Sequence, residues 1–120
     1  MATIKTYTDI EQSKKLAEIL PIESADMHYS LDIDFMKHEN TPTVTEEDDH
    51  FELFQSDIPC WSLSALFDAL PKYIGDYNKC LYYDVGRYYC GMFTIDETNA
   101  DNPIDACYEM IIKLNEKELL

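Results

Sequence analysis

The spacing of apolar residues along the chain predicts three helices. The first is expected over residues 9–20, where the apolar positions that recur at helical intervals are Ile10, Leu16, Ala17 and Leu20. Thr8 and Glu11 fit a capping box at its start, in which the hydroxyl accepts a backbone N–H and the carboxylate reaches back to the cap. Pro21 then ends the helix, because the residue before a proline disfavours the helical conformation.

The second and third predicted helices also have clear boundaries. In PCWSLSALFDALP (59–71), Ser62 caps the helix and a proline closes it. Its apolar face consists of Leu63, Leu66, Phe67 and Leu70. In DNPIDACYEMIIKL (101–114), Asn102 is the cap and Pro103 occupies the first helical position, where no amide hydrogen is needed. The apolar stripe predicted for this helix consists of Ile104, Cys107, Tyr108, Ile111, Leu114 and Leu119, with Met110 beside it.

Alternation of apolar and polar residues predicts strands between the helices. MHYSLDIDF (27–35) alternates without interruption, so that one face of the strand is apolar and the other is polar. HFELF (50–54) is a second predicted strand. It is expected to pair with the first across NTPTVTEEDD (40–49), which is interpreted as a loop because it is polar and contains a proline.

KCLYYDVGRYYCGMF (79–93) is predicted to form a β-hairpin. Its turn is expected at the three residues Asp84-Val85-Gly86, because glycine supplies the positive φ of a tight turn. The cross-strand pairs that follow from this register are Tyr82 with Tyr88 and Cys80 with Cys90. Both faces of the hairpin are apolar, which favours a central place in the sheet, or helices on one face and a partner on the other.

These elements follow the order α-β-β-α-β-β-α. The predicted fold is therefore α+β, with a mainly antiparallel sheet of about four strands and helices packed on it. The length of 120 residues fits one domain over residues 1–120. No segment approaches the roughly 20 apolar residues that span a bilayer, and residues 1–15 lack the apolar region of a signal peptide. The expected location is the cytoplasm, and the strand order is left open.

The formal net charge of −15 changes the range of expected partners. Arg87 is the single arginine, so direct binding to nucleic acid or to an anionic membrane is disfavoured, because both depend on clusters of Lys and Arg. Acidic residues are concentrated in the segment 23–57, where Lys37 is the single basic residue besides histidines. This segment is either a solvated face, a docking surface for a basic partner, or a mimic of nucleic-acid charge.

Candidate chemistry is sparse. The four cysteines form no C-x-x-C pair and are expected to be reduced, buried thiols: Cys60, Cys80, Cys90 and Cys107. The chain has no G-x-S-x-G motif and no glycine-rich phosphate loop. His28, Asp32 and Asp34 share the polar face of the first strand and could hold a divalent metal. Their spacing matches no named motif, and a solvated strand face is the preferred interpretation. No catalytic, cofactor-binding or metal-binding residue is therefore assigned, and no cofactor is expected.

Three segments together resemble a set of small uncharacterised proteins of gut Bacteroides and of their prophages and mobile elements. The segments are EQSKKLAEILPIESADM (11–27), PCWSLSALFDAL (59–70) and ADNPIDACYEMIIKL (100–114), in that order. The resemblance implies a bacterial cytosol and an origin in a phage or mobile element. It brings no activity, cofactor or catalytic residue with it.

The sequence favours a small acidic accessory protein, not an enzyme, that acts by binding another protein. Assembly into a homo-oligomer is left open, and the sequence does not identify the partner. Two alternatives stand beside this interpretation. The first is a nucleic-acid mimic that blocks a DNA-binding protein. The second is a metal-dependent enzyme that uses His28, Asp32 and Asp34.

Overall fold

The computed structural model describes residues 5–32, 37–38, 41–45, 57–74, 77–91 and 97–120. The α-helices within these residues are α1 (Ile10–Ala17), α2 (Leu63–Ala69) and α3 (Pro103–Glu116). The strands are β1 (Met27–Tyr29), β2 (Leu31–Asp32), β3 (Lys37–His38), β4 (Thr43–Val44), β5 (Ile58–Cys60), β6 (Tyr73–Ile74), β7 (Tyr77–Asn78), β8 (Cys80–Asp84), β9 (Arg87–Gly91) and β10 (Glu97–Ala100). A short 3₁₀ turn covers Ile22–Ser24.

The fold is α+β, as predicted, but the sheet is divided. In the described part of the chain, two antiparallel three-stranded sheets have the orders β4-β1-β5 and β10-β9-β8. The pairs β2–β3 and β6–β7 are separate two-stranded ribbons. The predicted sheet of about four strands and the simple order α-β-β-α-β-β-α are therefore not matched, because several strands of two or three residues lie between the longer elements.

Strand β1 pairs with segments that the sequence assigned to a loop and to a helix start. Residues 43–44 pair with it on one side and residues 58–60 on the other. Strands this short show no alternation that a sequence pattern can reveal. Pro59 is accepted because β5 is an edge strand, where a missing N–H costs no ladder hydrogen bond. The predicted strand 50–54 and residues 33–35 of the first strand lie outside the described residues.

The predictions for α2 and α3 are confirmed, including their caps. The Ser62 hydroxyl accepts the N–H of Ala65 at 3.3 Å, and the Asn102 side-chain oxygen accepts the N–H of Asp105 at 2.8 Å. Each cap satisfies an amide that has no partner inside the helix. Both helices therefore begin where local sequence chemistry places them.

The cap predicted for α1 is wrong by one residue. Asp9 is the cap: its carboxylate accepts the N–H of Gln12 at 2.8 Å, and the Gln12 side chain accepts the N–H of Asp9 at 3.1 Å. Thr8 is held elsewhere, because its N–H donates to the carbonyl of Trp61 at 3.0 Å. The helix accordingly begins one residue later, with the same type of capping box.

The main core lies where α3 packs on β9 and β10 and where α2 packs on α3. Its fully or almost fully buried side chains are Leu16, Ala25, Trp61, Leu66, Leu70, Cys90, Ile104, Ala106, Cys107, Met110, Ile111 and Leu114. A second, smaller cluster consists of Tyr29, Ile58 and Cys60 beneath α1. The helices thus cover one face of the β8–β10 sheet.

Candidate interaction surface

The hairpin of β8 and β9 closes with a turn of two residues, not three. Val85 has φ 47° and Gly86 has φ 81°, so both occupy the left-handed region that this turn requires. A β-branched residue rarely adopts positive φ, which is why Gly86 alone suggests a longer turn. The predicted register is therefore wrong by one residue. The observed pairs are Cys80 with Gly91, Leu81 with Cys90, Tyr82 with Tyr89, Tyr83 with Tyr88 and Asp84 with Arg87.

This register divides the β8–β10 sheet into two different faces, because alternate residues point to opposite sides. The inner face packs on the main core and includes Leu81, Tyr88, Cys90 and Ala100. The opposite face, called the tyrosine face below, carries Tyr82, Asp84, Arg87, Tyr89, Glu97 and Asn99. The expectation of two apolar faces is therefore wrong for the second one, which is aromatic and charged.

Two stacked rings form the centre of the tyrosine face. The centroids of Tyr82 and Tyr89 are 5.1 Å apart, and the ring planes differ by 9°. The Tyr82 hydroxyl donates to a carboxylate oxygen of Glu97 at 2.6 Å. That hydrogen bond raises the pKa of Tyr82 to about 12, because the neutral phenol is the donor. Tyr82 is thus oriented by contacts with β9 and with β10, while 43% of it stays exposed.

Arg87 binds residues of its own sheet and the loop that follows it. Its Nε donates to the side-chain oxygen of Asn99 at 2.7 Å, and its Nη1 donates to Asp101 at 2.8 Å. The guanidinium therefore ties β9 to the end of β10. Asp84 and Glu97 also lie on the tyrosine face, so acidic groups outnumber the single arginine there.

Strand β8 and the turn expose further apolar area beside this face. Tyr83 is 62% exposed and Val85 is 89% exposed. The Tyr83 and Tyr88 rings are tilted against each other by 57°, with their centroids 5.0 Å apart. Together with Tyr82, these side chains place three large exposed apolar groups within four residues, and clustered exposed apolar groups are typical of binding surfaces.

The candidate metal site gains no support from the described residues. The Nδ1 atom of His28 lies 2.8 Å from the hydroxyl of Thr45, the residue that follows β4, so the ring already has a hydrogen-bond partner. Asp34 and the side chain of Asp32 lie outside the described residues. Among the residues that are described, no three His, Cys, Asp or Glu side chains are placed to share a metal ion.

Cys60 belongs to a buried group that we call the Thr8 cluster: Thr8, Ser13, Tyr29, Cys60 and Trp61. Its thiol donates to the Thr8 carbonyl at 3.3 Å, and the Tyr29 hydroxyl donates to the same carbonyl at 2.7 Å. Burial raises the pKa of the Cys60 thiol, which disfavours the thiolate that a nucleophile requires. Its contacts indicate a packing role.

The remaining thiols also differ from the sequence expectation. All four cysteines are free, and Cys80 is half-buried while the others are buried. Cys80 lies opposite Gly91, not opposite Cys90. The neighbouring Cys107 thiol on α3 and burial both raise the pKa of the Cys90 thiol. The predicted pairing of Cys80 with Cys90 is therefore wrong, whereas the four thiols are free, as expected.

The acidic segment is described only in part. Asp26 has a structural role, because its carboxylate accepts the N–H of Ser62 at 2.9 Å and also the Ser62 hydroxyl. Asp34, Glu39, residues 46–49 and Glu52 lie outside the described residues. The regular spacing of carboxylates that nucleic-acid mimicry needs therefore has no counterpart among the described positions.

Comparisons with protein-family models, with curated proteins and with solved structures find no match to this chain. Over the part of the chain that the structure describes, none of the helices has the length and apolar character needed to cross a membrane.

Proposed function

We propose that this chain is a small acidic accessory protein of phage or mobile-element origin that acts in the bacterial cytosol by binding another protein. The binding surface in this proposal is the tyrosine face together with Tyr83 and Val85. The observation that carries it is the exposure of Tyr82, Tyr83 and Val85 within four consecutive residues of one hairpin, with the two tyrosines on opposite faces of the sheet. The biological origin rests on the resemblance of the three sequence segments.

The physical state of the tyrosines supports a binding role. A tyrosine supplies a large contact area with few rotatable bonds, and this residue type is enriched at the energetically important positions of protein interfaces. Tyr82 is held by the stacked Tyr89 ring and by the Glu97 carboxylate. Little side-chain entropy would be lost when a partner covers it, because the ring already has its orientation.

A capture experiment tests this proposal. The wild-type protein and the double variant Tyr82→Ala/Tyr89→Ala are immobilised and exposed to Bacteroides lysate. The proposal expects one or more proteins to be retained by the wild type and lost from the variant. Val44→Ala is the matched control, because Val44 is 65% exposed on the other three-stranded sheet and its truncation should retain the same proteins.

Two results would contradict the proposal. Equal retention of every captured protein by the wild type and the double variant would remove the tyrosine face from function. Capture of a DNA-binding protein that is released by moderate salt, and that is indifferent to the two tyrosines, would instead support nucleic-acid mimicry. Thermal melting of each variant shows whether the fold is retained.

A further inference from the structure

We infer that the outer edge of β8 accepts an extended, basic segment of the partner protein as an additional strand of the β8–β10 sheet. This inference rests on the proposed binding function and specifies how the partner is recognised. Binding by strand addition derives its affinity from backbone hydrogen bonds and its specificity from alternate side chains. Both contributions can be examined at β8.

The backbone of β8 supplies the first observation. The two-residue turn makes Asp84 and Arg87 a hydrogen-bonded pair, and such pairs alternate along an antiparallel ladder. Leu81 and Tyr83 therefore occupy non-hydrogen-bonded positions, and their N–H and C=O groups point away from β9. Within the described residues, β8 is an edge strand, and β9 is the one strand that pairs with it. Two donors and two acceptors are thus presented along this edge.

The composition of β8 supplies the second observation. Natural edge strands are commonly protected against pairing by lysine, proline or a bulge. The strand Cys80-Leu81-Tyr82-Tyr83-Asp84 contains neither lysine nor proline, and its register with β9 has no bulge. It carries instead two exposed tyrosines whose side chains point to opposite faces of the sheet. These properties suit an edge that receives a strand.

Charge decides between a second copy and a foreign partner. A second copy of this chain would bring the same net charge of −15, which opposes association of the two copies. A basic segment is complementary instead. On an added strand, a Lys or Arg next to Tyr82 could stack on the exposed ring and approach Asp84. The alternate residues would lie beside Leu81 and Tyr83, where apolar side chains fit.

The probe for this inference is a synthetic peptide of about ten residues that alternates Arg and Val, which is longer than β8 itself. Its binding to the full chain is measured by calorimetry at physiological ionic strength. We expect binding to the wild type. Tyr83→Val loses the ring but keeps the outward N–H, so it is the reference against which the proline variant is compared. Tyr83→Pro removes that donor without removing a bond to β9, and it should weaken binding by about tenfold or more.

Two modified peptides test the backbone contribution independently of the protein variants. Methylation of the Val nitrogens should weaken antiparallel addition, whereas methylation of the Arg nitrogens should weaken parallel addition, since different partner residues face β8 in the two cases. If neither peptide binds more weakly, or if Tyr83→Pro binds as well as Tyr83→Val, strand addition is wrong. Equal binding of a peptide that alternates Glu and Val would exclude recognition by charge.

The results also separate this inference from the function on which it rests. Suppose that Tyr83→Pro still captures the partner from lysate while Tyr82→Ala/Tyr89→Ala does not. The tyrosine face would then bind without strand addition, so that the inference fails and the proposed function stands. If neither variant affects capture, both fail. A wild-type dimer in size-exclusion chromatography that Tyr83→Pro dissociates would replace the basic partner with a second copy and overturn the inference.

Discussion

The Thr8 cluster and the tyrosine face both combine aromatic rings with polar groups. They differ in solvent exposure, because the cluster is buried and the tyrosine face is partly exposed. In the cluster, the Thr8 hydroxyl contacts the Ser13 hydroxyl at 2.8 Å and accepts the Trp61 N–H at 3.2 Å. Among the described residues, no buried side-chain nitrogen or oxygen atom lacks a hydrogen-bond partner. On the tyrosine face, hydrogen bonds orient Tyr82 and Arg87, but the rings retain exposed area.

The comparison shows that aromatic and polar content does not by itself identify a binding site. A buried polar group is tolerated when it is paired, and once paired it offers nothing to a ligand. Covering an exposed ring with a partner removes apolar area from water and so favours binding. We therefore assign stability to the Thr8 cluster and recognition to the tyrosine face, and the following experiments test that division.

The largest loss of stability is expected from truncating a buried side chain of α3, the helix that packs on the inner face of the β8–β10 sheet. Ile111 is fully buried on α3, which packs on β9 and β10. Ile111→Ala should lower the free energy of unfolding by about 2–5 kcal/mol, as other truncations of buried aliphatic side chains do. Denaturant unfolding measures it, with Ile112→Ala as the control, because Ile112 is only half-buried and should cost less. An unchanged midpoint for Ile111→Ala would mean that α3 does not pack on the sheet.

Within the Thr8 cluster, the loss of one hydroxyl should be clearly measurable. Thr8→Val keeps the shape of the side chain but leaves the Trp61 N–H and the Ser13 hydroxyl without this partner in a buried place. We expect a loss of about 1–3 kcal/mol in unfolding free energy, the usual cost of an unpaired buried group. Thr6→Val is the matched control, since Thr6 is exposed and should change stability by less than about 0.5 kcal/mol. Equal effects of the two substitutions would show that the Thr8 cluster does not contribute to stability as we assign it.

In the two-residue turn between β8 and β9, one substitution should increase stability. Val85 holds a positive φ and is almost fully exposed, so its side chain contributes strain and little packing. Val85→Asn should raise the free energy of unfolding by about 1 kcal/mol, because asparagine tolerates the left-handed conformation and Asn-Gly is favoured in this turn. Val44→Asn, at an exposed strand position, should give no gain. A loss of stability in Val85→Asn would contradict the two-residue turn.

The smallest effect concerns the contact that joins the starts of α1 and α3. Asp105 accepts hydrogen bonds from Lys5 at 2.9 Å and from Gln12 at 2.8 Å. Burial alone would raise the pKa of its carboxyl, but these bonds and one from Asn102 hold that pKa below its ordinary value. A depressed pKa in the folded state stabilises the protein above the unfolded pKa, near 4, and this contribution is lost as the pH falls through the folded pKa.

A double-mutant cycle with Lys5→Met and Asp105→Asn measures this contribution as a function of pH. The coupling should be about 1 kcal/mol or less at neutral pH, because both side chains are partly exposed to solvent. It should decrease below about pH 4 and disappear as the pH falls through the depressed folded-state pKa, where the carboxyl becomes protonated. A coupling that persists in acid would show that the charge of Asp105 does not contribute.

The caps of α2 and α3 could be predicted because each is a contact between residues three positions apart, and the hairpin of β8 and β9 could be predicted because its strands adjoin. The candidate surface was visible in the sequence only as a group of tyrosines. Which tyrosines are exposed depended on the register, and the register depended on the φ angle of Val85. A one-residue shift of register reverses the face of every side chain on one strand.

The sequence by itself determined the α+β class, the two capped helices, the hairpin and the strong negative charge, because periodicity, capping and charge are properties of neighbouring residues. The tertiary structure decided the partners of β1, the position of the α1 cap and the exposure of the β8 edge. Thr8 illustrates the physical reason. Its contacts with Tyr29, Cys60 and Trp61 join residues that are distant in sequence. Local sequence preferences cannot predict contacts of this kind.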